Sequence, residues 1–259
     1  VGFSKSKFEN ETEFEILKKN GFKPVDRSFQ HHILQINPKI SYDYKVSKVS
    51  GLRYCIIRDV LQNPDDFVSI MKMHPGYGGS IRVSTPGIRQ LFSPLEFSTL
   101  MEVYGKVYNV LTLQNNKPIP KIWQWACCSN ILYKGVRGNS LPHHDNSPMS
   151  VSLWLTKDIE NTGTGLYGVT IDGKKYYNSF DIPEDKKHKL AELITKDYYN
   201  EDPLYGFVKD DDWELYELTP YEYNSAVLFD SRYFHRWFYD SNKWNEDQIR
   251  YSLVSFLQN

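Results

Sequence analysis

The residues able to do chemistry gather in the second half of this chain. Pro142-His143-His144-Asp145 sets an imidazole and a carboxylate two positions apart, and in extended backbone residues i and i+2 project to the same side. So placed, His143 and Asp145 can grip one divalent ion. Taken alone the pair is weak, because a chain with seven histidines and 32 acidic residues produces His-x-Asp readily by chance. A second imidazole, His235, stands in Tyr233-Phe234-His235-Arg236-Trp237, directly after the apolar run Ala226–Phe229. A lone histidine among aromatics more often packs or faces solvent than ligates. Arg250-Tyr251-Ser252 follows fifteen positions later, in a run that alternates like a strand, so Arg250 and Ser252 share a face. An arginine turned into a barrel interior is a costly buried charge unless an anion meets it. The plainer alternative is an arginine facing water.

Order and spacing change the weight of these pieces. His-x-Asp, a distant histidine at a strand start, then Arg-x-Ser on the next strand is a rare combination. Two imidazoles and one carboxylate on one face of an octahedral ion form the facial triad of non-haem iron(II) oxygenases. The pattern resembles the iron(II)/2-oxoglutarate-dependent dioxygenases, most closely the prolyl-hydroxylase-like branch. The resemblance implies that His143, Asp145 and His235 ligate Fe(II) and that Arg250, assisted by Ser252, binds the distal carboxylate of 2-oxoglutarate, a task suited to a guanidinium fork. It also implies a cosubstrate contact from Tyr133, which lies in Ile131-Leu132-Tyr133-Lys134-Gly135 where the family has a Tyr-x-x-Gly-like segment. Gly163-Thr164-Gly165-Leu166-Tyr167 stands where the family runs a Gly-Gly-Thr-like turn, and Cys55–Pro64 looks like the lead-in to its N-terminal helices. His144 fills the middle of the motif and leaves a one-residue shift between neighbouring histidines open.

The implied reaction consumes 2-oxoglutarate and dioxygen, releases succinate and carbon dioxide, and oxidises an unidentified primary substrate, with hydroxylation the expected outcome. An Asp rather than Gly or Ala at position 145 favours this over halogenation. Two rivals come from other classes. One is a jelly-roll, cupin-like binding protein that holds a metal or none and oxidises nothing; the other is a metal-dependent isomerase or hydrolase on a similar barrel. Arg250 separates them, since neither has need of an anion-binding arginine beside the triad.

The elements that must position these groups are short strands. Ile122–Tyr133, Ser150–Thr156, Trp213–Leu218, Ala226–Phe229, Arg236–Tyr239 and Ile249–Phe256 are aromatic or β-branched runs separated by turn residues, the pattern of a sandwich or barrel. Ahead of residue 118 the reading is mostly helical. Asn63-Pro64-Asp65-Asp66 starts a helix to Met73, Ser93 caps another over Pro94–Leu113, and a third is expected near Glu13–Asn20. Glu184–Asn200 reads as a helix within an insertion of about 166–213. The expected fold class is mainly β with α (α+β): a double-stranded β-helix (jelly roll) core over 118–259, with an N-terminal support region over 1–117, in one compact unit.

Composition bounds the rest. The chain has 259 residues, 15% of them aromatic, and a net charge of −1. Residues 1–120 carry +5 and residues 121–259 carry −6. Neither half has the basic excess of a protein that binds by neutralising phosphates, so nucleic acid is disfavoured. No apolar run approaches the ~18 residues of a membrane span. Three cysteines make no disulfide framework, and the expected location is a reducing one, the cytoplasm. His31-His32, His74 and His188 read as surface or turn residues, and Cys127-Cys128 as core packing.

Overall fold

The protein is described here from a computed structural model covering residues 35–73, 77–78, 88–92, 98–112, 126–133, 142–145, 147–157, 162–199, 212–239 and 249–257. Alternating residues fold as antiparallel strands, and those in the middle of the larger sheet bury one row of side chains against helices and turn the other inward. In chain order the elements are β1 (Ser41–Val46), β2 (Arg53–Arg58), α1 (Pro64–Met73), β3 (Tyr77–Gly78), β4 (Ile88–Phe92), α2 (Ser98–Leu111), β5 (Ala126–Tyr133), β6 (Met149–Trp154), β7 (Thr162–Ile171), β8 (Lys174–Tyr176), α3 (Lys187–Tyr199, entered by a 3-10 turn at Glu184–Lys186), β9 (Trp213–Pro220), β10 (Ser225–Phe229), β11 (His235–Tyr239) and β12 (Ile249–Leu257). Strands thus outweigh helices, and every pairing is antiparallel. Among the described residues no helix is long and apolar enough to cross a membrane.

The strands form two sheets. The larger runs β1-β2-β10-β6-β12-β5-β4-β3; in the smaller, β7 pairs with β11, β8 and β9. An isolated bridge between His143 and His235 adds the His-x-Asp segment to the smaller sheet beside β11. The outer face of the larger sheet supplies Cys55, Ile57, Val151, Leu153, Leu228 and Leu253 to a core shared with Phe67 and Met71 of α1 and Leu100, Tyr104 and Val107 of α2. The inner face carries a second cluster, where Tyr54, Ile56, Trp154, Val227 and Phe229 meet Leu166 and Tyr221. A third cluster joins Tyr167, Val169, Ile171 and Phe234 to Ile182 and Leu190, fastening α3 to the smaller sheet.

Two differences from the sequence reading have physical causes. The insertion of about 166–213 starts later than expected, because Thr162–Ile171 is a ten-residue strand, buried along nearly its whole length. Its three glycines imitate a turn. Gly163 is instead required by close backbone approach: a Cβ there would lie 2.0 Å from the Thr219 carbonyl oxygen on β9. The true turn is Asp172-Gly173, both at positive φ, leading into β8. The region ahead of 118 also supplies four strands to the larger sheet, two at each end, besides α1 and α2. The expected helix near Glu13–Asn20, His31-His32 and His74 lie outside the described residues.

Candidate metal centre

His143 and His235 face each other across a closed pair of backbone hydrogen bonds. The amide of His143 donates to the His235 carbonyl at 3.0 Å, and the amide of His235 to the His143 carbonyl at 2.9 Å. This pairing brings the imidazole centroids to 4.7 Å. Asp145 is fixed by its own amide, which donates to the Ser231 carbonyl at 2.9 Å in the turn between β10 and β11. Its carboxylate then lies between the rings, with Oδ1 3.8 Å from His143 Nε2 and Oδ2 3.2 Å from His235 Nε2. One ligand atom from each residue falls within 4.8 Å of the others, a spacing that could hold a metal ion. His144 goes elsewhere, its ring edge-on to Phe234 with centroids at 6.1 Å. The one-residue ambiguity between the two histidines is thereby removed: among the described residues it is His143 that joins Asp145 and His235.

Hydrogen bonding prepares these donors. His235 Nδ1 lies 2.9 Å from the Tyr233 carbonyl oxygen. A carbonyl only accepts, so Nδ1 carries a proton and Nε2 is the atom turned toward Asp145. Such a bond fixes the ring and raises its basicity as a ligand. Ser150, at the start of β6, donates its hydroxyl to Asp145 Oδ2 at 2.7 Å. Burial works to raise the Asp145 pKa, but His235, His143 and the Ser150 hydroxyl hold it well below the usual carboxylate range. Burial holds His144 below the usual imidazole value.

Arg250 occupies the other end of the same interior. On β12 it is 3% exposed, its Nη1 donates to Thr162 Oγ1 at 3.0 Å, and its guanidinium lies 5.1 Å from the Tyr221 ring centre. Thr162 in turn donates to the Phe238 carbonyl at 2.5 Å, which leaves a hydroxyl lone pair for Arg250. Nε of Arg250 is buried without a partner, and among the described residues no carboxylate pairs with this charge. Burial alone pulls its pKa down to about 10, so it remains cationic at neutral pH. The two ends are linked through β7: His235 pairs with Leu166, and Thr162, four residues along, lies about 13 Å away on the same face of the strand. Between them lie Thr164 and its partner Trp237.

Ser252 shares the face of Arg250, is buried, and pairs with Asn130 and Trp154. Tyr133 is not brought to Arg250 by the register: Leu132 is the partner of Arg250, and Tyr133 that of Ile249. Sequence reasoning missed Ser150, Thr162 and Tyr221. Nothing local marks them, because each owes its place to a strand pairing distant in the chain.

A cleft of about 980 Å³ reaches Asp145 and His144 from outside, lined also by Arg53, Tyr108, Phe180, Lys187 and Arg232. Its wall includes α3, so the segment inserted after β7 helps build the approach to Asp145.

No family model matches the chain, and no curated protein matches it. Solved structures do match. A Pseudomonas putida prolyl-4-hydroxylase is similar at 13% identity over 75% of this chain and 83% of that one, with a TM-score of 0.37. The non-heme alpha-ketoglutarate-dependent epimerase SnoN from nogalamycin biosynthesis aligns at 10% identity over 80% and 81%, TM-score 0.40. An oxidoreductase of the 2OG-Fe(II) oxygenase family from Burkholderia pseudomallei aligns at 10% identity over 95% and 79%, TM-score 0.31. The reading of the site rests on its own geometry.

Proposed function

We propose that the protein is an iron(II)- and 2-oxoglutarate-dependent oxygenase that hydroxylates a substrate entering through the cleft beside Asp145. The observation that carries this reading is Arg250. Among the described residues its guanidinium is buried without a carboxylate partner, which is unfavourable, and it is bonded to Thr162, four residues along β7 from the partner of His235. A ligand with an anionic group at one end and metal-binding oxygens at the other satisfies both ends together. 2-Oxoglutarate is such a ligand. The paired sheets are consistent with a double-stranded β-helix, and a reducing compartment such as the cytoplasm would keep both the iron and the buried Cys55 thiol reduced.

In this reading His143, Asp145 and His235 hold the metal, which donors of this type suit. When bound, iron(II) is where 2-oxoglutarate and dioxygen react, the oxo acid being decarboxylated to succinate while the substrate takes up the other oxygen atom. The chain does the rest. Arg250 binds the distal carboxylate, with Thr162 holding the guanidinium and Ser252 beside it. The Tyr233 carbonyl keeps the His235 proton on Nδ1, away from the metal side. Trp154, Tyr221, Leu166 and Phe229 exclude water from the adjoining interior, where electrostatic interactions are strengthened.

Anaerobic iron(II) with 2-oxoglutarate tests the reading directly. The expected result is the weak visible charge-transfer band of the chelate, lost in His143→Ala. Metal binding with no band and no affinity for 2-oxoglutarate would instead leave a metal-holding binding protein.

A further inference from the structure

Among the described residues β1 forms one edge of the larger sheet. β1 is bonded on one side, to β2, among the described residues. The opposite edge ends in β3, two residues long, which offers little to another strand. β1 has six residues in unbroken register, without proline or bulge. Four of the eight exposed large hydrophobic residues among those described cluster here: Tyr42 at 40%, Tyr44 at 44% and Val46 at 60% on the strand, and Val49 at 51% in the turn that follows. Tyr42 and Tyr44 stack on each other, centroids 6.5 Å apart. They lie opposite Ile57 and Cys55, both members of the core beneath α1 and α2. The apolar face of the sheet therefore continues past its helical cover and ends on β1.

Backbone alternation shows which groups are free. The amide of Ser47 donates to the Leu52 carbonyl at 2.8 Å, so in the β1–β2 ladder the odd-numbered residues of β1 bond inward. The N–H and C=O groups of Tyr42, Tyr44 and Val46 consequently point off the edge. An antiparallel partner centred on Tyr44 would pair Tyr44 with Tyr44 and Tyr42 with Val46, forming six ladder hydrogen bonds from those groups alone. In that register Asp43 falls opposite Lys45 of the second strand, twice, once on each side of the axis. The apolar row meets an apolar row, and each charge meets its opposite. A one-residue slip would lose both matches.

We propose that β1 is a homodimer interface, in which two copies of this chain join their larger sheets edge to edge through β1 about a two-fold axis at Tyr44. The contact is isologous, so it closes at two copies and leaves β3 at both outer ends. Self-complementary charge favours a second copy over an unrelated strand as the occupant. Asp43 already contacts Lys45 at 3.4 Å and Arg58 at 3.2 Å within its own chain; a second Lys45 adds to that network rather than replacing it.

Sedimentation of the full chain over a range of concentrations tests this. The expected result is a monomer–dimer equilibrium. Tyr44→Pro removes an amide that the β1–β2 ladder does not use, and should give monomers with unchanged circular dichroism. Lys45→Asp sets like charges opposite each other and should weaken the dimer at least about tenfold. Mixing Lys45→Asp with Asp43→Lys should restore a dimer as a heterodimer, an outcome that misfolding of either chain would not produce. A protein monomeric at its highest soluble concentration, or a dimer indifferent to all three substitutions, would overturn the proposal.

Discussion

The two faces of β6 and β12 do opposite work from the same two strands, six residues and nine. On the outer face Met149, Val151, Leu153, Leu253 and Leu257 are buried against helices. Alternating with them, the inner face presents Ser150, Trp154, Arg250 and Ser252, all nearly or wholly buried. Burial is equal, but chemistry is not. The outer row is mostly hydrocarbon, Ser255 apart, and stabilises the fold on packing. Part of the inner row consists of polar groups whose burial opposes folding unless partners or a ligand compensate. The period-two pleat keeps the two tasks apart, so a substitution on one face should leave the other task intact.

That separation can be broken at its strongest point first. Asp145→Ala removes one of three donors and the charge between the two imidazoles, and should abolish iron(II) binding measured by anaerobic calorimetry while the thermal midpoint falls little. A midpoint collapse would mean that the inner site is structural. The converse change, Leu153→Ala, deletes a fully buried outer side chain and should lower stability to urea by about 2–5 kcal/mol. The surviving folded protein should bind iron(II) and 2-oxoglutarate as before.

Arg250→Met sharpens the comparison because the two readouts should move in opposite directions. The burial that depresses the Arg250 pKa to about 10 penalises the charged folded state at every pH below that value, so the cost is fully present at pH 7 and is relieved only at alkaline pH. An apolar side chain of similar reach removes that cost, and replacement of buried ionic groups in this way is neutral or stabilising by about 1–4 kcal/mol. Affinity for 2-oxoglutarate should be lost. A fall in stability with binding retained would show that Arg250 is a structural group.

How much of this could be read from the chain follows the same division. Alternation made β6, β10 and β12 legible, since each buries one row against helices. It failed for β7, where Gly163, Gly165 and Gly168 stand for the close approach of β9 and of neighbouring side chains rather than for a turn. The His-x-Asp spacing put His143 and Asp145 on one side of an extended segment, and those two do converge with His235. Arg250 and Ser252 were likewise legible as neighbours on one face. Thr162, 88 positions away from Arg250, and Ser150 were not. Their roles depend on which strands pair and on a one-residue register, which also sets Leu132 rather than Tyr133 across from Arg250. The segment after β7 carries no periodic signal of the cleft it lines, because its contacts are made with the far ends of other elements.

The response to pH tests the inner site by a different route. Ligation requires unprotonated imidazole, which in free form titrates near ~6.5, whereas the depressed pKa of Asp145 keeps its carboxylate ionised well below pH 4. Iron(II) affinity should therefore fall on acidification through protonation of the imidazoles, before the carboxylate is protonated. Equal affinity at pH 5 and pH 7.5 would argue against two histidine ligands.

The smallest expected effect concerns Ser150, which belongs to the inner row yet touches no metal position itself. Its hydroxyl donates to Asp145 Oδ2 at 2.7 Å and so holds the carboxylate rotamer between the two rings. Losing a group that orients a ligand in this way typically weakens metal affinity by about 10–100-fold. Ser150→Ala should do the same here, with little change in urea stability because the carboxylate keeps its imidazole partners. It should also raise the Asp145 pKa, since a hydrogen bond to the charged form is lost. Ser150→Thr keeps the donor and should restore most of the affinity; if it does not, the hydroxyl is not what positions Asp145.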